Sequence, residues 1–372
     1  MKNRILHIAT YSYSRALILQ ARFESENIEC FTLNENMIQP DVSAGVQIMI
    51  READVEHAMK IIEDVKQEYG EDLKLLAKKE GKIKKILVPV DFSEQSTVGF
   101  RFAIGLARVL QAKIRLLHTY LQPSFAASPY EDHTFPMLAD TYSLVTDTGK
   151  EMQKALEKYK RIVVNQVKTK SEYMPEISKS IAEGIPAEAI MMYSQKYKPD
   201  IIIMGMRGKG DKKSVVGGTT AELIEKSSIP VLAIPHDYQF EGVNKNLNVL
   251  YATDFDDTDF LALSELLQFI EPFNAKVHCV HVSLGIKKPW DKAKFNEMQQ
   301  FLQDKFGGMQ VECEMIVGDN VFNSLETYIR NNNIGLLAMT THKRNIIQRL
   351  LNPSMTKRML YHTRLPLLVF PF

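Results

Sequence analysis

A glycine-rich stretch near the middle of the chain has the residue types and spacing to bind phosphate. Gly205 and Gly208 follow the apolar run 201–204, and Gly218 and Thr219 come nine residues after Gly208. Glycines let a backbone approach a ligand with no Cβ in the way, and free N–H groups at a helix start attract phosphate. The spacing therefore predicts a phosphate-binding turn between a buried strand and a helix. The alternative is a turn that serves only close packing.

The helix after these glycines is predicted over residues 220–227. Thr219 is expected to be its N-cap, and Glu222, three residues later, would complete a capping box. The two leading glycines are expected to turn the chain sharply after the strand. Arg207 and Lys209 add positive charge beside the predicted phosphate site.

Asp91 offers a carboxylate at the end of another apolar run, 86–90. Ligands of open parallel sheets bind at the carboxyl ends of the strands. We expect Asp91 to lie at the same sheet edge as Gly205 and to accept a hydrogen bond from a base or a ribose. The alternative is a structural role, in which Asp91 or Ser93 caps the next helix.

The elements that would position these residues alternate between short apolar runs and long amphipathic segments. This alternation is typical of parallel βαβ units. Strands are predicted at 86–90, 114–120, 201–204 and 231–234, with helices over about 94–110 and 139–164.

Four segments of this pattern recur later in the chain in the same order, which indicates a duplicated domain. The matched pairs are Pro89–Phe92 with Ala252–Phe255, Leu116–His118 with Cys279–His281, Ile203–Met204 with Ala338–Met339, and Ile229–Leu232 with Leu365–Leu368. Because His118 and His281 end matching strands, we interpret them as structural. Cys279 and His281 share a strand face, but no further spacing typical of metal ligands is found.

The second copy departs from the glycine pattern. Thr340 and Lys343 stand where the two leading glycines stood, and Asn352-Pro353-Ser354 replaces Gly217-Gly218-Thr219. A proline at the phosphate turn removes an N–H group and fixes φ. Phosphate binding is therefore expected in the first copy only.

The segments Pro89-Val90-Asp91-Phe92-Ser93 and Gly205 to Thr219 resemble the universal stress protein family. The resemblance covers about residues 82–238 well and 246–372 more weakly. It implies two tandem open parallel-sheet α/β domains of the adenine nucleotide alpha hydrolase type, with ATP and its Mg²⁺ as ligand. Adenine would be held by Asp91 and the backbone of Thr119, and ribose and phosphates by the glycine motif. The implied binding residues are Pro89, Val90, Asp91, Thr119, Gly205, Arg207, Gly208, Gly218, Thr219 and Thr220.

The first 73 residues read strand, helix, strand, strand, helix, and a charged linker follows at 74–85. This βαββα pattern is similar to a small prokaryotic domain described as signal-transducing. The expected domains are therefore 1–73, 82–238 and 246–372. The small domain is expected to fold on its own, and its partner would be an unidentified regulatory protein.

The predicted function is that of an ATP-binding stress-response regulator, not an enzyme. No P-loop, GxSxG or HExxH motif is present, and no nucleophile or general base is evident. The alternatives are an enzyme of the same fold that hydrolyses ATP slowly and a scaffold that binds no nucleotide. Adenylyl transferases and ATP pyrophosphatases carry signatures that Asp91-Phe92-Ser93-Glu94 does not match.

Composition limits the classes of partner and the cellular compartment that are expected for this chain. Lys and Arg number 46 against 45 Asp and Glu, for a net charge of +1, so neither nucleic acid nor an anionic membrane is an expected partner. No window approaches the ~18 apolar residues of a membrane span, and the first residues lack a signal-peptide core. Three cysteines without a CxxC pair indicate a reducing compartment, the cytoplasm.

Two apolar segments near the domain ends are each bracketed by prolines, at 230–235 and 366–371. Proline is tolerated at edge strands, which must avoid unwanted pairing. We expect these two strands to pair antiparallel within one chain, in imitation of a two-fold dimer, and a homodimer is the further assembly considered.

Overall fold

The computed structural model places the described residues in two compact units. One unit holds Met1–Lys82, Asn244–Met359 and Leu368–Phe372, and the other holds Ile83–Val243 and Leu360–Leu367. The structure describes residues 4–11, 13–34, 46–69, 83–121, 137–167, 173–206, 217–238, 247–253, 257–284, 289–341 and 365–371.

The N-terminal residues form a three-stranded antiparallel sheet with two helices, which confirms the predicted βαββα order. Its elements are β1 (Ile5–Tyr11), α1 (Tyr13–Ser25), β2 (Cys30–Asn34), β3 (Val46–Arg51) and α2 (Val55–Tyr69). The strand order is β1-β3-β2. Phe23, Ile48 and Ile50 are fully buried in a core built from these elements.

The first copy of the duplicated domain is a parallel sheet with the strand order β6-β5-β4-β7-β8. Its strands are β4 (Lys85–Pro89), β5 (Lys113–Tyr120), β6 (Ile177–Glu183), β7 (Ile201–Gly205) and β8 (Val231–Ile234). Its helices are α3 (Glu94–Leu110), α4 (Met137–Val167), α5 (Pro186–Tyr197) and α6 (Gly218–Lys226). Every residue of β7 and β8 is buried, as continuous apolar runs predict for central parallel strands.

The second copy has its strands in the order β11-β10-β9-β12-β13. The strands are β9 (Asn248–Ala252), β10 (Lys276–Leu284), β11 (Gln310–Gly318), β12 (Leu336–Thr341) and β13 (Leu367–Pro371). The helices are α7 (Asp257–Ile270), α8 (Pro289–Phe306) and α9 (Val321–Asn331), with a 3-10 turn at Glu271–Phe273. The duplicated α/β fold is therefore confirmed.

The matching histidines make the same contact in both copies. Nδ1 of His118 lies 2.8 Å from the carbonyl oxygen of Val90, and Nδ1 of His281 lies 2.8 Å from that of Thr253. Since a carbonyl oxygen only accepts, each Nδ1 donates. Each histidine therefore ties the end of the second strand to the peptide that follows the first strand, which agrees with the structural interpretation.

The N-terminal domain packs on the second copy within their common unit. Strand β1 lies against α7, and α2 lies against α8. Its own core is complete, but it also has a fixed neighbour in the chain. Whether residues 1–73 fold alone stays a prediction, as does the pairing of the proline-bracketed strands.

Several elements differ from the sequence analysis. Strand β6 and helix α5 were not predicted, and α4 extends beyond the predicted helix at both ends. Strand β6 is half-buried along most of its length, so its sequence shows no clear period of two. Among the described residues, no helix has both the length and the apolar character needed to cross a membrane.

We expect Phe23→Ala to loosen the N-terminal domain selectively, because the ring is 0% exposed. Removing a fully buried Phe side chain costs about 3–5 kcal/mol. Phe31 is 36% exposed on β2, so Phe31→Ala is the matched control with a much smaller cost. Hydrogen exchange of β3 in the full chain measures the opening free energy. Equal effects of the two variants would contradict the assigned core.

Candidate functional site

The carboxyl edge of the first sheet carries most of the predicted site. Strands β4 and β7 are adjacent and parallel, with Ile86 paired to Ile201. Pro89 and Gly205 are the last residues of these two strands. Asp91 follows β4 by two residues, so it lies at the same edge as Gly205, as predicted.

Asp91 is fixed by the turn that leads into α3. Its Oδ1 accepts hydrogen bonds from the backbone N–H of Ser93, at 3.0 Å, and from the Ser93 hydroxyl. Ser93 in turn caps α3, since its Oγ accepts from the N–H of Ser96 at 3.1 Å. Ser93 is therefore the N-cap, and Asp91 supports that cap. Asp91 therefore has the structural role that the sequence analysis gave as the alternative. Its contact with a nucleotide stays a prediction.

Phe92 links this turn to the second strand. Its φ is +63°, a left-handed conformation that costs energy for a residue with a bulky side chain. The ring stacks on His118 with centroids 4.2 Å apart. The edge of the Tyr159 ring packs against it at 5.4 Å. This packing holds the strained peptide beside Asp91 in one position.

Tyr159 ties the long helix α4 to the start of α3. Its hydroxyl lies 2.9 Å from Oγ1 of Thr97. Burial raises the pKa of Tyr159, and the Asp91 charge contributes in the same direction, so the phenol is neutral at physiological pH. The sequence analysis did not find this residue, because a tyrosine within an amphipathic helix gives no local sign of its partner.

The glycine-rich segment begins and ends at anchored points. The N–H of Met206 donates to the carbonyl of Ile234 at 2.8 Å, and the N–H of Gly217 donates to the carbonyl of Met206 at 2.7 Å. Thr220 is buried, and its hydroxyl donates to the carbonyl of Gly205 at 3.0 Å. The start of α6 is therefore held beside the end of β7.

The predicted cap of this helix is wrong. Helix α6 begins at Gly218 with Gly217 as N-cap, and no side chain of the described residues accepts a hydrogen bond at the cap. Thr219 is therefore the second residue of the helix and cannot be its N-cap. Glu222 does not complete a capping box and instead pairs with Lys226 at 2.7 Å. The first N–H groups of α6 therefore lack a side-chain cap, and a ligand can take that place.

Gly205 does not turn the chain sharply, although a sharp turn was predicted for it. Gly205 is paired with Ile234 in the sheet, so it extends the strand and does not turn sharply. A Cβ built on Gly218 meets no atom of the described residues within 4 Å, so none of these residues requires a glycine there. Among the described residues, the space above Gly218 is open to a ligand. Arg207 and Gly208 lie outside the described residues.

A glycine that the sequence analysis missed controls the approach of α3 to β7. A Cβ on Gly99 would lie 2.8 Å from the backbone nitrogen of Gly205 and 2.9 Å from the carbonyl carbon of Met204. Only a glycine allows this contact. A glycine inside a helical pattern, where it costs stability, was the available signal.

The remaining predicted residues also lie near the edge. Val90 is buried directly after β4, and its N–H donates to the carbonyl of Leu117 at 2.8 Å. Thr119 is half-buried near the end of β5, in register with Ala182 of β6. Both therefore bring backbone groups to the edge where Asp91 lies.

The same edge of the second copy contains a buried carboxylate. Asp259, on α7, is 1% exposed and accepts hydrogen bonds from the hydroxyls of Tyr251 and Thr253, both at 2.7 Å. The hydroxyl of Thr340 donates to it at 3.2 Å. Thr340 occupies the position that Gly205 has in the first copy. Asp254 and the segment 342–364 lie outside the described residues.

Comparisons with known proteins agree with this architecture. The model of the universal stress protein family matches residues 82–235 and 245–371, which together are more than half of the chain. The chain belongs to the universal stress protein family. A second family model, described as "Putative prokaryotic signal transducing protein", matches residues 9–66. Both resemblances seen in the sequence are therefore confirmed.

Individual relatives match one or both stress-protein copies. Universal stress protein MJ0531 of Methanocaldococcus jannaschii is 29% identical over 153 residues, 41% of this chain and 81% of that protein. Universal stress protein MJ0577 of the same organism is 28% identical over 163 residues, 41% of this chain and 94% of that protein. The crystal structure of a universal stress protein from Archaeoglobus fulgidus superposes with a TM-score of 0.56 and 16% identity, covering 77% of this chain and 98% of that one. At this identity the last match shows the fold alone.

We expect Gly99→Ala to destabilise the first stress-protein domain. The new methyl group would meet the β7 backbone, which cannot move aside without breaking sheet pairs, and overpacking of this kind costs about 1–3 kcal/mol. Gly218→Ala is the matched control, since its Cβ meets open space. Thermal unfolding of both variants checks this. A Gly99→Ala variant as stable as the control would show that α3 does not approach β7 this closely.

Proposed function

We propose that this universal stress protein binds ATP with its Mg²⁺ in the first stress-protein domain only, and that ATP occupancy regulates a response to stress. The observation that carries the proposal is the start of α6. It is held beside β7, and among the described residues it has no side-chain cap and open space above Gly218. Backbone N–H groups in this arrangement favour a phosphate chain.

The other predicted residues would complete the site around this helix start. Asp91, which follows β4, and the backbone of Thr119 on β5 would hold adenine, and the glycine motif would hold ribose and the phosphates. Arg207 and Gly208 would contact the phosphates from the segment between β7 and α6. The geometry of Asp91, fixed by Ser93, supports a preformed contact.

The second copy is disfavoured for ATP by its own polar network. Asp259 places a carboxylate at the sheet edge and uses the hydroxyls of Thr253 and Thr340 as its donors. A triphosphate there would face a negative charge in a buried setting, where repulsion is poorly screened. The proline and lysine substitutions seen in the sequence act in the same direction.

The N-terminal domain supports a regulatory role by its position. It packs on α7 and α8 of the second copy. An unidentified regulatory protein is its proposed partner, in the cytoplasm. Slow ATP hydrolysis and a nucleotide-free scaffold are the rival functions.

Titration calorimetry of the full chain with ATP and Mg²⁺ tests the proposal. We expect about one ATP per chain and a loss of affinity of ~10-fold or more, about 1.4 kcal/mol, in Gly218→Asp. The new carboxylate would stand against the phosphates at the helix start. Because Gly218 is exposed and its Cβ meets open space, the variant should still fold.

Gly308→Asp provides the control for this titration. Gly308 is also exposed, with no atom of the described residues within 4 Å of a built Cβ, but it lies after α8 in the second copy. It should leave the affinity unchanged. Two ATP per chain would argue against a single site, and no binding at all would favour the scaffold. Phosphate release at a steady rate would favour slow hydrolysis.

A further inference from the structure

A second group of polar side chains lies between β10, β11 and α9 of the second copy. One ring nitrogen of His278 and one carboxylate oxygen each from Glu312 and Glu314 lie within 4.8 Å of one another. His278 and Glu312 are paired in register on adjacent strands, and Glu314 is two residues further along the same face. The fold thus brings together residues that are far apart in the sequence.

The hydrogen bonds of Tyr328 define which ring nitrogen of His278 carries the proton. The Tyr328 hydroxyl donates to Oε1 of Glu314 at 2.9 Å and lies 3.0 Å from Nδ1 of His278. Because the phenol proton is used on the glutamate, Nδ1 must donate to the phenol oxygen. The neutral ring therefore carries its lone pair on Nε2.

Nε2 of His278 has no partner among the described residues, although it is buried. The side chain is 5% exposed, and Nε2 makes no hydrogen bond there. A buried acceptor without a donor costs about 1–3 kcal/mol. A lone pair held in this way is suited to bind a metal ion.

The first copy holds a cation at the corresponding place. Arg115 has the position on β5 that His278 has on β10, and it pairs in register with Ser178 of β6. Its guanidinium donates to the hydroxyls of Ser180 and Tyr193 at 2.9 and 3.1 Å. In the second copy a neutral ring replaces the guanidinium.

The second copy also carries more negative charge than the first copy at the corresponding positions of the third strand. Carboxylates of Glu312 and Glu314 stand where the first copy has the hydroxyls of Ser178 and Ser180. Lys276 pairs with Glu312 at 2.8 Å and balances one of them. The second copy has therefore lost a fixed cation and gained two anionic ligands.

We propose that Nε2 of His278 and the carboxylates of Glu312 and Glu314 bind a divalent transition-metal cation of the Zn²⁺ class. Zinc accepts imidazole nitrogen and carboxylate oxygen together at about 2.0–2.2 Å, whereas Mg²⁺ and Ca²⁺ prefer oxygen alone. Both glutamates are exposed, and each uses Oε1 in its described contact, so Oε2 is the oxygen that each would offer to the ion.

The bound ion would hold β10, β11 and α9 together. Tyr328 keeps the ring oriented through Nδ1, which is the usual arrangement around a metal-bound histidine. The ion would stabilise the second stress-protein domain, which carries the N-terminal domain. This inference does not depend on ATP binding.

Equilibrium dialysis of the full chain against Zn²⁺, without nucleotide, tests the site. The wild-type chain should bind one Zn²⁺ ion more tightly than any further Zn²⁺ ions. This first ion should raise the melting temperature of the protein. The double variant Glu312→Gln, Glu314→Gln should lose that tightest ion, with at least a ~10-fold weaker affinity, and should lose the thermal shift. These glutamates are exposed, so the variant keeps its core.

Glu176→Gln is the matched control. Glu176 is exposed and pairs with Lys113 of the first copy at 2.7 Å, as Glu312 pairs with Lys276. It should leave Zn²⁺ binding and the thermal shift unchanged. Unchanged Zn²⁺ binding in the double variant would overturn the proposal. So would an equal loss in Glu176→Gln, or a thermal shift of the same size with Mg²⁺ in place of Zn²⁺.

Discussion

A single hydrogen bond in each copy fixes the edge on which the rest of the structure depends. In both copies, the carbonyl group that follows the first strand accepts a hydrogen bond from a histidine in the second half of the second strand. His118 does this for Val90 and His281 for Thr253, both at 2.8 Å. In the first copy this contact, together with the stacking of Phe92 on His118, sets where Asp91 can lie.

The two copies share this frame and differ in the groups that fill it. At the first edge the donors of α6 remain uncapped and Gly99 allows α3 to approach β7. At the second edge Asp259 takes three hydroxyl donors and is buried. The polar side chain on the second strand that faces the third strand also differs. It is Arg115 in the first copy and His278 in the second. The two copies therefore share a backbone fold but carry different side chains at corresponding positions.

The sequence predicted what is local or repeated. The fully apolar strands β7 and β8, the Ser93 cap and the duplicated order were all visible in the residues. Strand β6 was missed because its faces are similarly buried. The start of α6 was misplaced, since a threonine is a better cap than the glycine that holds the position. The Asp259 network and the His278 group depend on contacts between distant residues, which no spacing encodes.

Hydrogen–deuterium exchange of the full chain with and without ATP and Mg²⁺ tests the central claim most directly. If the first edge alone binds the nucleotide, ATP slows exchange at the start of α6, around Gly218–Thr220, and in the turn at Asp91–Ser93. Exchange in β12 and at the start of α7, beside Asp259, stays the same. Equal protection in both copies, or protection confined to the second, would contradict the account.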